Sequence, residues 1–335
     1  AWVAAGMLAP ANEAHFGEER LVRLLVAGAA RWPAFAAALE AAAGDPIGFE
    51  PSGTVVVAAD PSDRAALDQL LAFRSSIGLA SVRLSATECR KRVPALSPSI
   101  CGGAEVPGDH QVDNRRLVTA LRDACDAAGV RFVADRVNSV EVVAGTARAW
   151  RTERGGRVAA SQLVASMGWR TPLLGGLAEG TLPEVRPVKG HVLRLAGTAP
   201  LIERTVRGLV KGRTCYLVPR RDHSVVVGAT VEEMGEDLRV QAGAVFTLLD
   251  DARALVPGID ELELVECSVG LRPGTPDNAP RVGWTEVRGL VVATGHYRNG
   301  ILLAPITAEA VTSLLDGAAV PPELEPFGLV AGVRP

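Results

Sequence analysis

The sequence predicts an α/β protein in which two domains interleave along the chain. Helical segments with apolar residues three and four positions apart alternate with β-branched strands before residue 175 and again at the C-terminal end. Between these sections, residues 185–270 form a run of strands with alternating apolar residues, as expected of an antiparallel sheet with one covered face. The chain has 335 residues, which is long enough for two domains.

Composition limits the classes of function. The net charge is −3, hydrophobic residues make up 48%, and acidic and basic residues are spread along the chain. Because no basic tail or stripe is present, the sequence favours a small-molecule enzyme over a protein that binds nucleic acid or a membrane surface. The five cysteines show no C-x-x-C spacing, which fits a reducing cytoplasm, and the five histidines are too scattered for a metal site.

The first elements follow from apolar spacing and capping residues. Residues 18–44 are predicted to form an amphipathic helix, interrupted near Pro33 and too charged to span a membrane. The β-branched stretch GTVVVAAD, residues 53–60, predicts a strand. A helix follows, with Ser62 as its expected N-cap and Gly78 at its end. A short helix and a proline-rich loop come next.

The later elements are strands with three helices between or after them. A helix is predicted over residues 113–130, capped by Asp113 or Asn114. Glycine turns then connect several strands, of which QLVASMG is the last. The stretches GHVLRLAG, CYLVPRRDHSVVVGAT and ELVECSVGLRPGT predict the antiparallel sheet, and FTLLDDARALVPG predicts a helix within it. The chain closes with a strand, a turn and a helix over 304–315, where Pro305 suits the first turn.

The turn GHYRNG, residues 295–300, lies between a buried strand and this last helix, and contains His296, Tyr297 and Arg298. Free backbone amides at a helix N-terminus carry positive potential. We therefore expect the turn to stabilise negative charge on a ligand. The alternative is an ordinary helix start with exposed polar residues.

Two strands carry side chains suited to a carboxylate. Arg272 lies at a strand end before a Pro-Gly turn, where a planar guanidinium can form two parallel hydrogen bonds to a carboxylate. Tyr216 shares a strand face with Arg220, and its phenol can donate a hydrogen bond. The alternatives are a surface ion pair for Arg272, for instance with Asp277, and a core tyrosine with a satisfied hydroxyl.

Near the N-terminus, AAGMLAP combines small residues, which let the backbone approach a flat group, with the adaptable side chain of Met7. The alternative is a packing contact between small residues. The sequence contains no G-x-G-x-x-G, Walker A or G-x-S-x-G motif.

Taken together, these stretches resemble the glycine oxidase and D-amino-acid oxidase family of flavoenzymes, particularly the glycine oxidases of thiamine biosynthesis. The matching stretches are AAGMLAP, HQVDNRRLVTAL, RPVKGH, CYLVPR, VGAT, GLRPGTPDNAPRVG and GHYRNGILLAPITA, which cover nearly the whole chain in the family's order. The last two are the most specific. Family members begin with a strand, a G-x-G-x-x-G turn and a helix that bind the FAD pyrophosphate. We expect that this segment is missing before Ala1.

The resemblance implies a glutathione-reductase-like FAD-binding domain interleaved with a substrate domain that contains a large mixed or antiparallel sheet. Residues 1–45, 101–178 and 266–320 are the expected FAD-binding segments. Residues 46–100 and 179–265 are the expected substrate-binding segments.

The resemblance also implies the site residues. Arg272 and Tyr216 would bind the substrate carboxylate, and Arg298 would lie beside both substrate and flavin. Gly168 would be the close-approach glycine of the second dinucleotide crossover. The residues implied at FAD are Ala4, Ala5, Met7, Val137, Gly168, His296, Arg298, Asn299, Gly300, Ile301 and Leu302, and no metal is implied.

The implied reaction converts glycine or a small D-amino acid into the 2-oxo acid, ammonia and hydrogen peroxide, by hydride transfer to FAD. The expected partners are the amino acid and oxygen, in the cytoplasm, and the family implies a homo-oligomer. His191 and Val231 depart from the family's usual residues, which leaves the substrate preference open. The alternatives are a D-amino-acid dehydrogenase, a sarcosine-type oxidase, and a non-catalytic remnant that binds no FAD.

Overall fold

The computed structural model describes residues 1–329, and this part of the chain contains sixteen strands and six α-helices. The strands are β1 (Met7–Leu8), β2 (Thr54–Ala58), β3 (Val82–Leu84), β4 (Gly103–Val106), β5 (His110–Gln111), β6 (Val137–Val143), β7 (Thr146–Thr152), β8 (Arg157–Ala159), β9 (Leu163–Ala165), β10 (Arg186–Ala196), β11 (Thr205–Val210), β12 (Arg213–Pro219), β13 (Val225–Gly228), β14 (Glu263–Gly274), β15 (Arg281–Trp284) and β16 (Leu290–Thr294). The helices are α1 (Glu19–Ala43), α2 (Pro61–Ser76), α3 (Ala86–Arg92), α4 (Asn114–Ala127), α5 (Ala242–Leu255) and α6 (Ala304–Leu315). Short 3-10 helices cover Gly168–Leu173, Pro257–Glu261 and Glu325–Phe327.

Contacts divide the chain into two compact units, each drawn from separate stretches of sequence. The first unit comprises Ala1–Ala124, Lys189–Glu232 and Asp237–Gly270. The second comprises Cys125–Val188, Glu233–Glu236 and Leu271–Pro335. The division by contacts does not decide which segments bind a cofactor, so the domain boundaries drawn from the sequence stay a prediction.

The first unit is built on an eight-stranded mixed sheet in the order β14-β10-β13-β12-β11-β2-β4-β3. Strands β2 and β11 run parallel, and the pairs β2–β4, β11–β12, β12–β13 and β10–β13 are antiparallel. The buried side chains of α5, such as Leu248 and Leu255, pack with strand residues such as Val206 and Leu217 in the main core. The antiparallel run predicted from alternation is thus one part of a mixed sheet.

Helix α1 belongs to the first unit and is continuous through Pro33, so the predicted interruption is wrong. Pro33 is exposed, and a proline removes one helix hydrogen bond, while buried neighbours such as Leu25 and Trp32 keep the helix packed. By length and composition alone, α1 could cross a membrane, but 39% of its most apolar window is buried within the protein. Core helices of soluble proteins and signal sequences near an N-terminus pass the same test of length and composition.

The N-cap of α2 is Asp60 and not Ser62, because Asp60 accepts a hydrogen bond from the backbone N–H of Asp63 and Pro61 occupies the first helical position. At α4, the predicted cap Asp113 is confirmed, since its carboxylate accepts from two backbone N–H groups of the first turn. Helix α5 begins earlier than predicted, at Ala242.

The second unit contains two three-stranded sheets, β15-β16-β9 and β6-β7-β8. Strands β9 and β16 run parallel, with Leu163 opposite Leu290, and they share one apolar core with Val140 and Leu174. Helix α6 follows β16 and covers the residues predicted from the sequence. The carboxyl ends of β9 and β16 therefore lie at one edge of the sheet, the usual position for ligands of α/β proteins.

Candidate functional site

A glycine turn follows each of the two parallel strands of the second unit. Gly168 has φ +59° after β9, and Gly295 has φ +75° after β16. The carbonyl oxygen of Gly168 accepts hydrogen bonds from the hydroxyls of Thr171 and Thr294, at 2.8 and 2.9 Å. These bonds join the two strand ends. A Cβ on Gly168 would meet no protein atom within 4 Å, so the backbone there faces open space that a ligand can approach.

The turn after β16 contacts the last residues of β14, which from Leu271 onward belong to the second unit. Tyr297 has φ +46°, uncommon for a residue with a side chain, and its backbone N–H donates to the carbonyl oxygen of Pro273 at 3.0 Å. The guanidinium of Arg298 lies 5.2 Å from the centre of the Tyr297 ring. Arg272 immediately precedes Pro273. The structure thus brings the two predicted site arginines of the second unit to neighbouring positions of the backbone.

Helix α6 begins without a side-chain cap, and its first-turn residue Pro305 has no N–H to satisfy. Asn299 is buried in the preceding turn, where its carbonyl oxygen accepts from the N–H of Leu303 at 2.8 Å. Gly300, Ile301 and Leu302 lie between these two residues. The N–H of Ala304 donates to the carbonyl oxygen of Ile301 at 3.1 Å, so the start of α6 contributes mainly the positive potential of its helix dipole. This potential suits a group that carries or develops negative charge.

His296 lies at the start of the same turn and is uncharged near neutral pH. Its Nε2 is 2.9 Å from the hydroxyl oxygen of Thr307 on α6. The residue is partly exposed, yet desolvation of the ring lowers its pKa to about 4. The imidazole therefore contributes a hydrogen bond and packing to the turn and no positive charge.

The alternative partner considered for Arg272, Asp277, is engaged by another arginine. Both carboxylate oxygens of Asp277 accept from Nη2 of Arg281 at 2.9 Å. Val137, the remaining predicted residue of the second unit, begins β6 and packs, partly buried, against the core that contains Ala165 at the end of β9.

In the first unit, Tyr216 lies in one apolar cluster with Ala5 and Met7, two residues predicted from a distant stretch of sequence. Val192, Val218 and Val226 form the buried part of this cluster on the sheet. The alternation that predicted one strand face for Tyr216 and Val218 is confirmed, since Leu217 packs in the main core instead.

The ring of Tyr216 lies against the backbone of Gly228, its antiparallel partner on β13. A Cβ at Gly228 would lie 2.3 Å from the Tyr216 hydroxyl oxygen and 2.5 Å from Cζ. Only glycine leaves room for the phenol in this position. The glycine of VGAT indicated a close contact at this position, but sequence spacing could not identify Tyr216 as the residue that makes it.

Gly6, in the N-terminal stretch AAGMLAP, makes its close contact with the backbone of the protein itself. Gly6 has φ +73°, its carbonyl oxygen accepts from the N–H of Val112 at 2.9 Å, and a Cβ there would lie 2.0 Å from the Val112 oxygen. The packing alternative therefore explains Gly6. Ala4 and Ala5 precede it, and the carbonyl oxygen of Ala5 accepts from the guanidinium of Arg220, a contact that sequence reasoning missed.

Comparison with known proteins identifies the family. The family model described as DAO, FAD dependent oxidoreductase, matches residues 1–314. The chain belongs to the DAO family. This membership confirms the resemblance drawn from the motifs, the assignment as a FAD-dependent oxidoreductase, and FAD as the cofactor of the family.

Relatives within the DAO family include a glycine oxidase of Geobacillus kaustophilus, 34% identical over 329 residues, which cover 97% of this chain and 85% of the relative. The bifunctional protein ThiO/ThiG of Synechocystis sp. is 34% identical over 328 residues, again 97% of this chain. The match covers 47% of that protein, so the chain spans about half the length of the bifunctional relative.

Solved structures of the family confirm the fold. The glycine oxidase structure from Geobacillus kaustophilus matches with a TM-score of 0.88 at 34% identity, covering 99% of this chain and 88% of that one. The glycine oxidase structure from Bacillus cereus matches with a TM-score of 0.85 at 26% identity, covering 94% and 86% of the two chains. The α/β class with a large mixed sheet is therefore confirmed.

The residues of the second unit fit the flavin that the DAO family uses. The backbone at Gly168 faces open space, and the positive potential at the start of α6 suits the ring edge that becomes negative on reduction. The neutral His296 contributes no positive charge to this edge. The assignment of each residue to flavin or substrate stays a prediction, as does the position of Val137 at the adenosine.

Proposed function

We propose that this enzyme oxidises glycine or another small amino acid, in the pathway of thiamine biosynthesis. The overall reaction consumes glycine, water and oxygen and yields glyoxylate, ammonia and hydrogen peroxide. The observation that carries the proposal is the Tyr297–Pro273 hydrogen bond, which joins the backbone next to Arg272 to the backbone next to Arg298, in the turn that precedes α6. The near full-length similarity to a glycine oxidase supports the choice of reaction.

Each group has one task in this proposal. Arg272 binds the substrate carboxylate through charge-assisted hydrogen bonds, and its place at the end of β14 restricts the rotation of that carboxylate. The phenol of Tyr216 donates a further hydrogen bond to the carboxylate. The FAD of the family would supply the hydride acceptor for the substrate Cα. The N-terminus of α6 stabilises the negative charge that develops next to it.

Oxygen consumption by the FAD-reconstituted chain tests the proposal, with glycine, N-methylglycine and D-alanine as substrates. The proposal predicts oxygen uptake with glycine and equal amounts of ammonia and peroxide. A flavin that is reduced without oxygen uptake would identify a dehydrogenase. A clear preference for N-methylglycine would identify a sarcosine-type oxidase, and a chain that takes up no FAD would identify a non-catalytic remnant.

A further inference from the structure

Arg220 follows directly after β12, four residues beyond Tyr216, and only 3% of its side chain is exposed. Its Nη1 donates to the side-chain oxygen of Gln111 at 2.7 Å, and its Nη2 donates to the carbonyl oxygen of Ala5 at 2.5 Å. Burial lowers the pKa of Arg220 to about 10, so the guanidinium remains charged near neutral pH. A buried charge needs several partners in the right geometry, and here the partners come from distant stretches of sequence.

The partners of Arg220 also bind the N-terminal segment, residues 1–7. Nδ2 of Asn114 donates to the carbonyl oxygens of Ala1 and Trp2, at 2.9 and 2.8 Å. The side-chain oxygen of Asn114 accepts from Nη2 of Arg220 at 3.4 Å. Gln111 lies opposite Met7 in the β1–β5 pair. The guanidinium therefore binds the segment directly at Ala5, and it contacts Asn114, which binds the segment at Ala1 and Trp2.

The same segment supplies part of the surroundings of Tyr216. Ala5, Met7 and Val3 pack with Tyr216 in a single apolar cluster. Tyr216 and Arg220 lie four residues apart on one strand face, and Arg220 is held to the segment by the Ala5 carbonyl oxygen. The Arg220–Ala5 bond thus adds to the Gly6–Val112 bond and the Met7–Gln111 pairing in holding this segment at the cluster that contains Tyr216.

We propose that Arg220 is a positioning residue, which anchors residues 1–7 to β12 so that Met7 and Ala5 form a fixed wall beside the substrate-binding Tyr216. The proposal rests on the proposed function for the role of Tyr216. The planar fork of the arginine directs Nη1 to Gln111 and Nη2 to Ala5, a fixed geometry that the single ammonium of a lysine does not reproduce. Loss of the anchor leaves Tyr216 in place but lets the wall move.

Hydrogen exchange and steady-state kinetics on Arg220→Lys and Arg220→Gln test this role. The neighbouring Arg221→Gln is the matched control, because the Arg221 side chain is 53% exposed and pairs with Glu50 at the surface. We expect amide exchange in peptides covering residues 1–8 and 110–113 to accelerate roughly tenfold in Arg220→Gln and less in Arg220→Lys. We expect no change in Arg221→Gln.

The kinetic signature separates positioning from simple stabilisation. In both Arg220 variants, the KM for glycine should rise about five- to tenfold while kcat changes less than about twofold, because ground-state placement of the substrate is lost. Unchanged exchange in residues 1–8 would overturn the anchor. Faster exchange with an unchanged KM would show a purely structural role and overturn the positioning. If the wild type oxidises no glycine, the proposed function fails, and the exchange data alone still decide whether Arg220 anchors the segment.

Discussion

The backbone N–H of Tyr297 donates to the carbonyl oxygen of Pro273 at 3.0 Å and so links the turn before α6 to the end of β14. Arg272 precedes one partner of this bond and Arg298 follows the other. A backbone hydrogen bond thus joins two stretches of the chain, GLRPGT and GHYRNG, each of which carries one of the two predicted site arginines. Variants of Arg272 and Tyr216 test the roles proposed for these side chains.

Replacement of Arg272 by alanine should raise the KM for glycine about 30- to 150-fold, because the loss of a charge-assisted carboxylate pair costs about 2–3 kcal/mol. Flavin absorbance and FAD affinity should remain as in the wild type. Arg281→Ala is the control, since Arg281 pairs with Asp277 and has no assigned contact with substrate. An unchanged KM in Arg272→Ala would remove Arg272 from the substrate site.

Tyr216→Phe should raise the KM for glycine about three- to tenfold, because one hydrogen bond to the carboxylate is lost while the ring keeps its packing. Steady-state kinetics and the flavin spectrum measure the two effects separately. Loss of FAD with an unaltered KM would show that Tyr216 belongs to the flavin site instead.

Gly228→Ala should disturb Tyr216 more than the loss of its hydroxyl does. The new Cβ would lie 2.3 Å from the phenol oxygen, so the ring must move, at a cost of about 1–3 kcal/mol in the free energy of unfolding. Thermal melting and the KM for glycine should both change. Gly243→Ala is the matched control, since a Cβ there meets no atom within 4 Å. Equal behaviour of the two variants would contradict the packing of Tyr216 on Gly228.

The stability of the protein should depend on His296 between pH 4 and pH 6.5. Desolvation lowers the pKa of His296 from 6.5 to about 4 in the folded state, so the unfolded chain binds the proton first as pH falls. As pH falls from 6.5 to 4, the free energy of unfolding should therefore decrease. His296 contributes at most about 1.4 kcal/mol of this decrease per pH unit.

His296→Gln isolates this contribution, because glutamine can keep the bond to Thr307 but does not titrate. Burial raises the pKa of Asp109 to about 6, so this residue makes the free energy of unfolding increase as pH falls. Asp109 is present in both proteins, and its contribution cancels in the comparison. Chemical unfolding at several pH values should show that the free energy of unfolding decreases more steeply toward acid pH in the wild type than in His296→Gln. Parallel pH profiles for the two proteins would contradict a depressed pKa for His296.

Parts of this fold were predicted correctly from local sequence signals, such as helix caps and the prolines and glycines at helix ends. The bounds of α6 follow from the proline in its first turn and the glycine after it, and Asp113 caps α4 as the spacing predicts. Errors arose where two local signals competed or where packing decided. Asp60 caps α2 ahead of Ser62, and α1 continues through Pro33 because buried neighbours such as Leu25 and Trp32 keep the helix packed.

For the candidate site, the sequence predicted the separate motifs but not the contacts between them. Sequence spacing indicated Arg272 and the turn at Arg298 but could not show that Tyr297 and Pro273 bond to each other. Likewise, Arg220 could be placed on the Tyr216 face, yet its partners lie more than 100 residues away. Such long-range partners follow from the folded chain and not from local periodicity.

The central claim, that this chain is a flavin-dependent oxidase of glycine, is tested most directly by the visible absorption of the FAD-loaded protein under anaerobic conditions. Addition of glycine should bleach the flavin absorbance, and admission of oxygen should restore it with the release of peroxide. A chain that retains FAD but keeps an unchanged spectrum at saturating glycine would contradict the claim.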